Sequence, residues 1–131
     1  MKEIVVVTRS RTGLLADITE ALGRRGINIE TIDAEELHGT AIVELTVDLY
    51  DEALQALRDA GFDAVSEDAL LIRLRDEPGA LAKIAKRFKE ASIALRSVRF
   101  IRRQDGWAFV AVATDRTEDA KRLAKECVVN E

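Results

Sequence analysis

The fold of this chain is decided by a turn that reads Arg75-Asp76-Glu77-Pro78-Gly79-Ala80-Leu81. An alternating apolar run precedes the turn and a run with helical spacing follows it, so the turn joins a strand to a helix. Pro78 suits the first helical position, because its φ is fixed and its missing N–H costs nothing there. Gly79 has no Cβ, so a ligand can approach the backbone closely. The open N–H groups at such a helix start favour a small carboxylate, and a plain capped turn is the alternative.

The same context occurs a second time, 66 residues earlier, as Arg9-Ser10-Arg11-Thr12-Gly13-Leu14-Leu15. Further matched pairs follow it along the chain: Ile18 with Ile84, Ile27 with Ile93, Ile29 with Leu95, Ile32 with Val98, and Ala34 with Phe100. A repeat of this length indicates two copies of one small domain, called here copy 1 (residues 1–67) and copy 2 (residues 68–131). Each copy is near the lower size limit for a self-sufficient core, so we expect the copies to pack on each other or on a second chain.

The composition is that of a soluble globular protein. Of the 131 residues, 47% are hydrophobic and 34% are charged. No apolar run approaches the roughly 20 residues that a membrane span needs. The sequence leads from Met1 straight into an apolar strand, so we expect no signal peptide. Cys127 is the only cysteine, which excludes an internal disulfide. These features predict a cytoplasmic protein.

The charge is distributed unevenly between the copies. Copy 1 has 6 basic and 14 acidic residues, a net charge of −8, whereas copy 2 has 14 basic and 10 acidic residues, a net charge of +4. One interpretation is that the charges of the two copies diverged by chance on surfaces exposed to solvent. The other is that the acidic copy faces the basic copy, within a chain or between chains, since opposed patches steer such a pairing.

Each copy is predicted to follow the order β-α-β-β-α-β. In copy 1 the expected segments are strand 4–7, helix 13–25, strand 27–34, strand 41–47, helix 51–60 and strand 62–65. In copy 2 they are strand 70–74, helix 78–91, strand 93–101, strand 107–113 and a final helix, with the last strand short or missing. This is an α+β fold of two ferredoxin-like units, packed side by side, each an antiparallel sheet with two helices on one face.

The second strand of each copy changes the side on which its apolar residues lie. In copy 1 the inward side switches between Ile29 and Ile32, and in copy 2 it switches between Leu95 and Val98. Side chains alternate strictly along a regular strand, so an extra residue is needed to reverse the pattern. Both copies are therefore predicted to have a β-bulge or strong twist at this point.

Two short motifs give the repeat a family resemblance. Asp76-Glu77-Pro78-Gly79-Ala80-Leu81 follows the first strand of copy 2, and Gly26-Ile27-Asn28-Ile29 opens the second strand of copy 1. In their order, spacing and duplication these motifs resemble the ACT domain family. The resemblance covers the whole chain as two tandem units with no catalytic domain attached.

The resemblance implies regulation rather than catalysis. ACT-like units bind small molecules, most often amino acids, where two units pair. The turn after the first strand cradles the ligand, and an Asn at the position of Asn28 often contacts it. The units commonly pair through edge strands into one eight-stranded sheet, so we expect a homodimer. An allosteric role of this kind calls for a partner, either a regulated enzyme or a transcription factor.

The two copies share the motifs unequally. Copy 2 has the full turn, but Ala94 stands where copy 1 has Asn28, while copy 1 has Arg11 and Thr12 in place of Glu77 and Pro78. One composite amino-acid site per pair of copies, using the turn of copy 2 and Asn28 of copy 1, is therefore predicted. The alternative is that Arg9 and Arg11 hold an acidic ligand. The candidate ligand-binding residues are Arg11, Thr12, Gly13, Leu14, Asn28, Ile29, Asp76, Glu77, Pro78, Gly79, Ala80 and Leu81.

An enzyme is not expected. Acylphosphatases share the βαββαβ order, but the turns here lack the closely spaced glycines of their anion loop. His38 is the only histidine and lies at a predicted hairpin, so no Ser/His/Asp or Cys/His set can be built around it. One His and one Cys do not make a zinc site. We therefore predict no catalytic residue, no metal and no cofactor.

An RNA-binding module is the remaining alternative, since RNA-recognition motifs share this topology and stack bases on exposed aromatic side chains. Trp107 and Phe109 lie on the face of their strand opposite the helices. Four arginines are nearby in sequence, Arg96, Arg99, Arg102 and Arg103. The first strand of copy 2 has no aromatic residue and the chain is acidic overall, so filling an interface is the favoured role for the two aromatic residues. Nucleic acid is not the expected partner.

Overall fold

The computed structural model describes residues 2–129, which divide into two compact units between residues 67 and 68. Unit 1 corresponds to copy 1 and unit 2 to copy 2. None of the helices within residues 2–129 is both long enough and apolar enough to cross a membrane.

Unit 1 has the complete βαββαβ order. Its strands are β1 (Glu3–Arg9), β2 (Ile29–Leu37), β3 (Thr40–Val47) and β4 (Asp63–Val65), and its helices are α1 (Leu14–Gly23) and α2 (Tyr50–Asp59). Neighbouring strands are antiparallel, in the spatial order β2-β3-β1-β4. Strand β2 therefore forms one outer edge of the sheet.

Unit 2 repeats this order up to its second helix. Its strands are β5 (Leu70–Arg75), β6 (Leu95–Gln104) and β7 (Trp107–Thr114), and its helices are α3 (Ala80–Glu90) and α4 (Thr117–Leu123). The sheet is antiparallel in the order β5-β7-β6, so β6 is the counterpart of β2 at an outer edge. Where unit 1 has β4, the described part of unit 2, up to residue 129, has a bridge between Ile72 and Val128.

The helices cover one face of each sheet, because apolar residues recur on that face with the period of each element. Ile18 and Leu22 of α1 pack with Val6 in the core of unit 1. Ile84 and Phe88 of α3 occupy the same place in unit 2. Each such buried side chain contributes about 1.5–3 kcal/mol to folding. The predicted class, α+β with two ferredoxin-like units, is confirmed.

The predicted irregularities in the second strands are present. The register of β2 against β3 shifts between Ile29 and Thr31, and the register of β6 against β7 shifts between Leu95 and Ser97. Beyond these bulges, Ala34 pairs with Val43, a core residue, so β2 turns the side of Ala34 towards the helices. The switch in apolar side is therefore a bulge in both units.

The prediction for the start of α3 was wrong by two residues. Pro78 was placed at the first helical position, but the helix begins at Ala80 and Gly79 is its N-cap, with φ of 86° in the left-handed region. Gly13 has the same role before α1, with φ of 81°. A residue with positive φ cannot lie inside a right-handed helix, so the proline belongs to the turn before the cap.

Candidate functional site

A cleft of about 410 Å³ lies beside the turn between β1 and α1 in unit 1. One wall is the turn and the first residues of α1, and the other consists of strands β2 and β3. Its lining residues are Ser10, Arg11, Gly13, Leu14, Leu15, Ala16, Ala34, Glu35, Glu36, Ala41 and Val43. The cleft is therefore built where the helix start meets the edge of the sheet.

The floor of the cleft is apolar. Val43, Ala41 and Leu14 are buried core residues whose surfaces close the bottom of the cleft. Leu15 and Ala34 rise beside them and are exposed, Leu15 by 43% of its surface. A ligand with a small apolar group could cover both side chains and remove this surface from water.

The start of α1 gives the cleft a positive end. Gly13, the N-cap, has no side chain, so it cannot cap the first turn of the helix with a side-chain hydrogen bond. The first N–H groups of any helix have no partner inside the helix, and the helix dipole adds partial positive charge there. The Arg11 guanidinium lies at the same end, 2.7 Å from the Asp17 carboxylate. A ligand carboxylate would meet both amide and guanidinium donors.

Strand β2 gives the cleft a negative end. The Ser10 hydroxyl donates a hydrogen bond of 2.8 Å to the Glu36 carboxylate, which ties this strand to the turn. The Ser10 backbone N–H donates to the Gly39 carbonyl at 2.9 Å, which holds the turn against the β2–β3 hairpin. Glu36 retains acceptor capacity, since a carboxylate has about four lone-pair sites. It could therefore accept from an ammonium group of a ligand.

Unit 2 has larger side chains at the corresponding position. Phe100 pairs with Val110 as Ala34 pairs with Val43, so a phenyl ring stands where unit 1 has a methyl group. The Arg103 guanidinium lies 4.3 Å from the centre of that ring. Its Nε is 3.4 Å from the carboxylate of Asp76, one of the predicted ligand-binding residues. Asp76 thus already has a cationic partner within its unit.

The predicted site residues are divided among several places. Arg11, Gly13 and Leu14 line the cleft, and Thr12 lies in the same turn. Asn28 is exposed at the start of β2, where its backbone N–H donates to the Asp48 carboxylate at 3.0 Å, and it does not line the cleft of unit 1. The composite site that pairs Asn28 with the turn of copy 2 remains a prediction.

In unit 2 the predicted residues form the turn before α3. The Glu77 N–H donates to the Arg75 carbonyl at 2.9 Å, and Pro78 and Gly79 are exposed. Ile29 in unit 1, and Ala80 and Leu81 in unit 2, are partly buried against the cores of their units.

The opposite wall of the cleft was missed at the level of sequence. Ala34, Glu36 and Val43 come from β2 and β3, and their approach to the turn depends on the strand register. One signal was available in the repeat itself. Ala34 is aligned with Phe100, and so large a difference at one helix-facing position indicates space in one copy.

The aromatic residues of β7 are not available for stacking on bases. Phe109 is only 1% exposed. The Arg73 and Arg75 guanidinium groups lie 4.4 and 4.3 Å from the centre of the Trp107 ring. An RNA-recognition surface needs exposed rings, so this observation counts against that alternative.

Two further kinds of site were sought among the described residues, a metal site and a reactive thiol. No group of three or more His, Cys, Asp or Glu side chains that could hold a metal ion occurs among residues 2–129. Burial raises the pKa of the half-buried Cys127 thiol. A thiol with a raised pKa is mostly protonated at neutral pH and is a poor nucleophile.

Comparisons with known proteins address the family and the fold. The family model of the ACT domain matches residues 2–62. A solved structure from Bacteroides thetaiotaomicron is similar with a TM-score of 0.50 and 22% identity, over 98% of this chain and 90% of that chain. At that identity the likeness shows the fold alone. No curated protein sequence matches this chain.

Two further solved structures have lower similarity. The ligand-free regulatory subunit of aspartate kinase from Thermus thermophilus has a TM-score of 0.45 and 19% identity, over 96% of this chain and 91% of that chain. The small subunit of acetolactate synthase from Thermotoga maritima has a TM-score of 0.43 and 16% identity, over 98% and 89% of the two chains.

Proposed function

Because the first unit of this chain belongs to the ACT domain family, we propose that the chain is a regulatory protein that binds a free amino acid and is not an enzyme. The observation that carries the proposal is the cleft beside the β1–α1 turn, whose apolar floor lies between charged groups of opposite sign. A free amino acid has the matching layout, with a carboxylate, an ammonium group and a side chain on one carbon atom.

In the proposed mode of binding, each end of the ligand meets its opposite charge. The α-carboxylate accepts hydrogen bonds from Arg11 and from the N–H groups of Leu15 and Ala16, since the Leu14 N–H already donates to the Arg11 carbonyl. The α-ammonium group donates to Glu36, and the ligand side chain covers Ala34 and Leu15. Both charges must be met, because burying one of them unpaired costs far more free energy than one hydrogen bond returns.

The proposed regulation acts through self-association of the chain. Ala34 and Glu36 are on an outer strand and Leu15 is on α1, so a ligand in the cleft ties that strand to the helix start. A homodimer that covers the edge of β2 would bind the ligand more tightly than a monomer. By thermodynamic linkage, the ligand then shifts the equilibrium towards the dimer. This shift regulates a partner enzyme or transcription factor that recognises only the monomer or only the dimer.

A thermal-shift screen against the twenty amino acids tests this function. We expect one amino acid, or a few of similar shape, to raise the melting temperature, since a ligand at about 100 times its Kd adds about 2.7 kcal/mol to the folded state. Titration calorimetry would then measure the affinity and stoichiometry. No response to any amino acid would contradict the proposal.

Glu36→Gln sharpens the same test at the cleft. A hydrogen bond to a charged group contributes about 1.5–3 kcal/mol, so the affinity should fall about tenfold or more. The matched control is Glu30→Gln on the same strand, because Glu30 does not line the cleft. An equal loss of affinity in both variants would show that the ligand binds elsewhere.

A further inference from the structure

The cleft of unit 1 combines two charged groups with an apolar surface. Arg11 lies at the helix start and Glu36 lies on β2, while the remaining surface includes Leu15, Ala34 and Val43. In the proposed mode of binding, the two charged groups meet the carboxylate and ammonium groups of the ligand. The apolar surface is what remains for the ligand side chain, so its chemistry indicates the class of amino acid.

Ala34 and Glu36 lie on the same face of β2. Their partners on β3 are Val43 and Ala41, both residues of the helix-side core. Their Cα atoms are about 7 Å apart, since a strand rises about 3.4 Å per residue. A ligand ammonium group that meets Glu36 therefore has Ala34 as the next side chain along the same face. A ligand side chain that follows the strand covers Ala34.

The apolar surface offers no polar side chain to the ligand. Its members are Leu14, Leu15, Ala16, Ala34, Ala41 and Val43. Two polar neighbours are engaged or turned away. The Ser10 hydroxyl donates to Glu36 at 2.8 Å, and Glu35 lies on the opposite face of β2, since its partner Ile42 is outside the helix-side core. A hydroxyl or amide group of a ligand side chain would therefore lose water here without gaining a side-chain partner.

The repeat provides a second, independent observation. The residue of unit 2 that corresponds to Ala34 is Phe100, which pairs with Val110 as Ala34 pairs with Val43. The Phe100 ring is 40% exposed, although it lies on the side of the sheet that faces the helices. Both units thus have an apolar group at this place, a ring in unit 2 and a methyl group in unit 1. Where the residue is alanine, an apolar ligand side chain can supply the larger group.

We propose that the ligand is an amino acid with an apolar side chain at least as large as that of valine, and that Ala34 determines which side chains are accepted. The inference rests on the proposed function and names the class of its ligand. Selectivity then comes from apolar surface that the ligand removes from water. An acidic ligand is disfavoured, because Arg11 lines the cleft but Arg9 does not, so a second carboxylate lacks a second guanidinium.

Titration calorimetry with amino acids of similar shape tests the class of ligand. Threonine has a hydroxyl group where valine has a methyl group, and asparagine is close to leucine in shape. An apolar pocket disfavours an added hydroxyl by about 100-fold, so valine and leucine should each bind about 10 to 100 times more tightly than their polar counterparts. From glycine to alanine to valine, the affinity should rise about fourfold for each methylene group that is buried.

The results of this titration distinguish failure of the inference from failure of the proposed function. Equal or tighter binding of threonine or asparagine would overturn the apolar class of ligand. Tightest binding of aspartate or glutamate would do the same, and in both cases amino-acid binding itself would stand. If no amino acid bound, the proposed function would fail together with the inference.

Ala34→Val tests the role of Ala34 in selecting the side chain. Valine suits a strand, so the variant should fold, and its larger side chain takes space from the ligand. The affinity for leucine should fall about tenfold or more and that for alanine by less than about threefold, because only the larger ligand is crowded. The matched control is Ala94→Val, at an exposed alanine of unit 2 that does not line the cleft, and it should change neither affinity. An equal effect of Ala34→Val on both ligands, or the same loss in the control, would show that Ala34 does not select the side chain.

Discussion

Unit 1 and unit 2 build the same strand-to-helix turn, and in unit 1 this turn borders a cleft of about 410 Å³. Gly13 and Gly79 cap their helices with nearly equal φ angles of 81° and 86°. The difference lies across the turn, where unit 1 has Ala34 and unit 2 has Phe100 with Arg103 against its ring. The comparison teaches that the same backbone turn can face side chains of very different size on the neighbouring strand, here a methyl group in unit 1 and a phenyl ring in unit 2.

The largest expected effect comes from substitutions at matched positions in the two cores. Phe88 of α3 is aligned with Leu22 of α1, and both are fully buried. Phe88→Ala should destabilise the protein by about 3–5 kcal/mol and Leu22→Ala by about 2–5 kcal/mol, because each leaves a cavity. Urea unfolding followed by circular dichroism measures both. Leu15→Ala is the exposed control, and a similar loss there would mean that burial is not the cause.

Exchange of the residues that differ tests the cleft. Ala34→Phe should fill the cleft and remove the stabilisation by the amino-acid ligand, about 2.7 kcal/mol at 100 times the Kd. Phe100→Ala should leave that response intact. The thermal-shift assay with the amino acid found in the screen measures both variants. Retention of the full response in Ala34→Phe would show that the cleft is not the ligand site.

The shared turn predicts equal effects in the two units. Gly13→Ala and Gly79→Ala should each cost about 1–2 kcal/mol, since an L-residue is strained at positive φ. An added Cβ meets no atom within 4 Å at either position, so the strain arises from the backbone alone. Chemical denaturation of both variants checks the prediction. If the free energies of unfolding lost by the two variants differed by more than about 1 kcal/mol, the two turns would not be equivalent.

The smallest expected effect concerns one exposed ion pair in each unit. Arg25 contacts Asp59 at 2.7 Å in unit 1, and Arg87 contacts Glu126 in unit 2. These hydrogen bonds lower the pKa of both carboxyl groups. A lowered folded-state pKa gives stability that is present above the ordinary carboxyl pKa and lost as the pH falls through the folded value, so the loss lies below about pH 4.

Thermal melts from pH 6 to pH 2 measure this effect. Both groups are exposed and screened by solvent, so Arg25→Gln and Arg87→Gln should flatten the acid limb of the curve only slightly. An identical acid limb in wild type and variants would assign the acid loss to other carboxyl groups.

Most of the fold could be predicted from the sequence because the chain repeats its pattern. The apolar side of the second strand switches at Ile29 and again at Leu95, and a reversal at the same place in both copies has one simple cause, a bulge. The start of α3 could not be placed as well. Pro78 and Gly79 both suit a helix start, and only the backbone shows that the glycine adopts the left-handed conformation and the proline precedes it.

Sequence alone pointed to the residues of the continuous turn beside the cleft, but not to the residues of β2 on the opposite wall. Arg11, Gly13 and Leu14 belong to one continuous turn, so their motif could locate them. Ala34 and Glu36 reach the same cleft through the register of β2, which sequence alone does not specify to a single residue. The tests of ligand binding therefore depend on this strand.

The tail of unit 2 has a consequence for solubility. The Arg73 N–H donates to the Cys127 carbonyl at 2.8 Å, and the Val129 N–H donates to the Leu71 carbonyl at 2.8 Å. Residues 127–129 thus cover the outer edge of strand β5. Loss of these residues would leave the backbone N–H and C=O groups at this edge open to pairing with a strand of another chain.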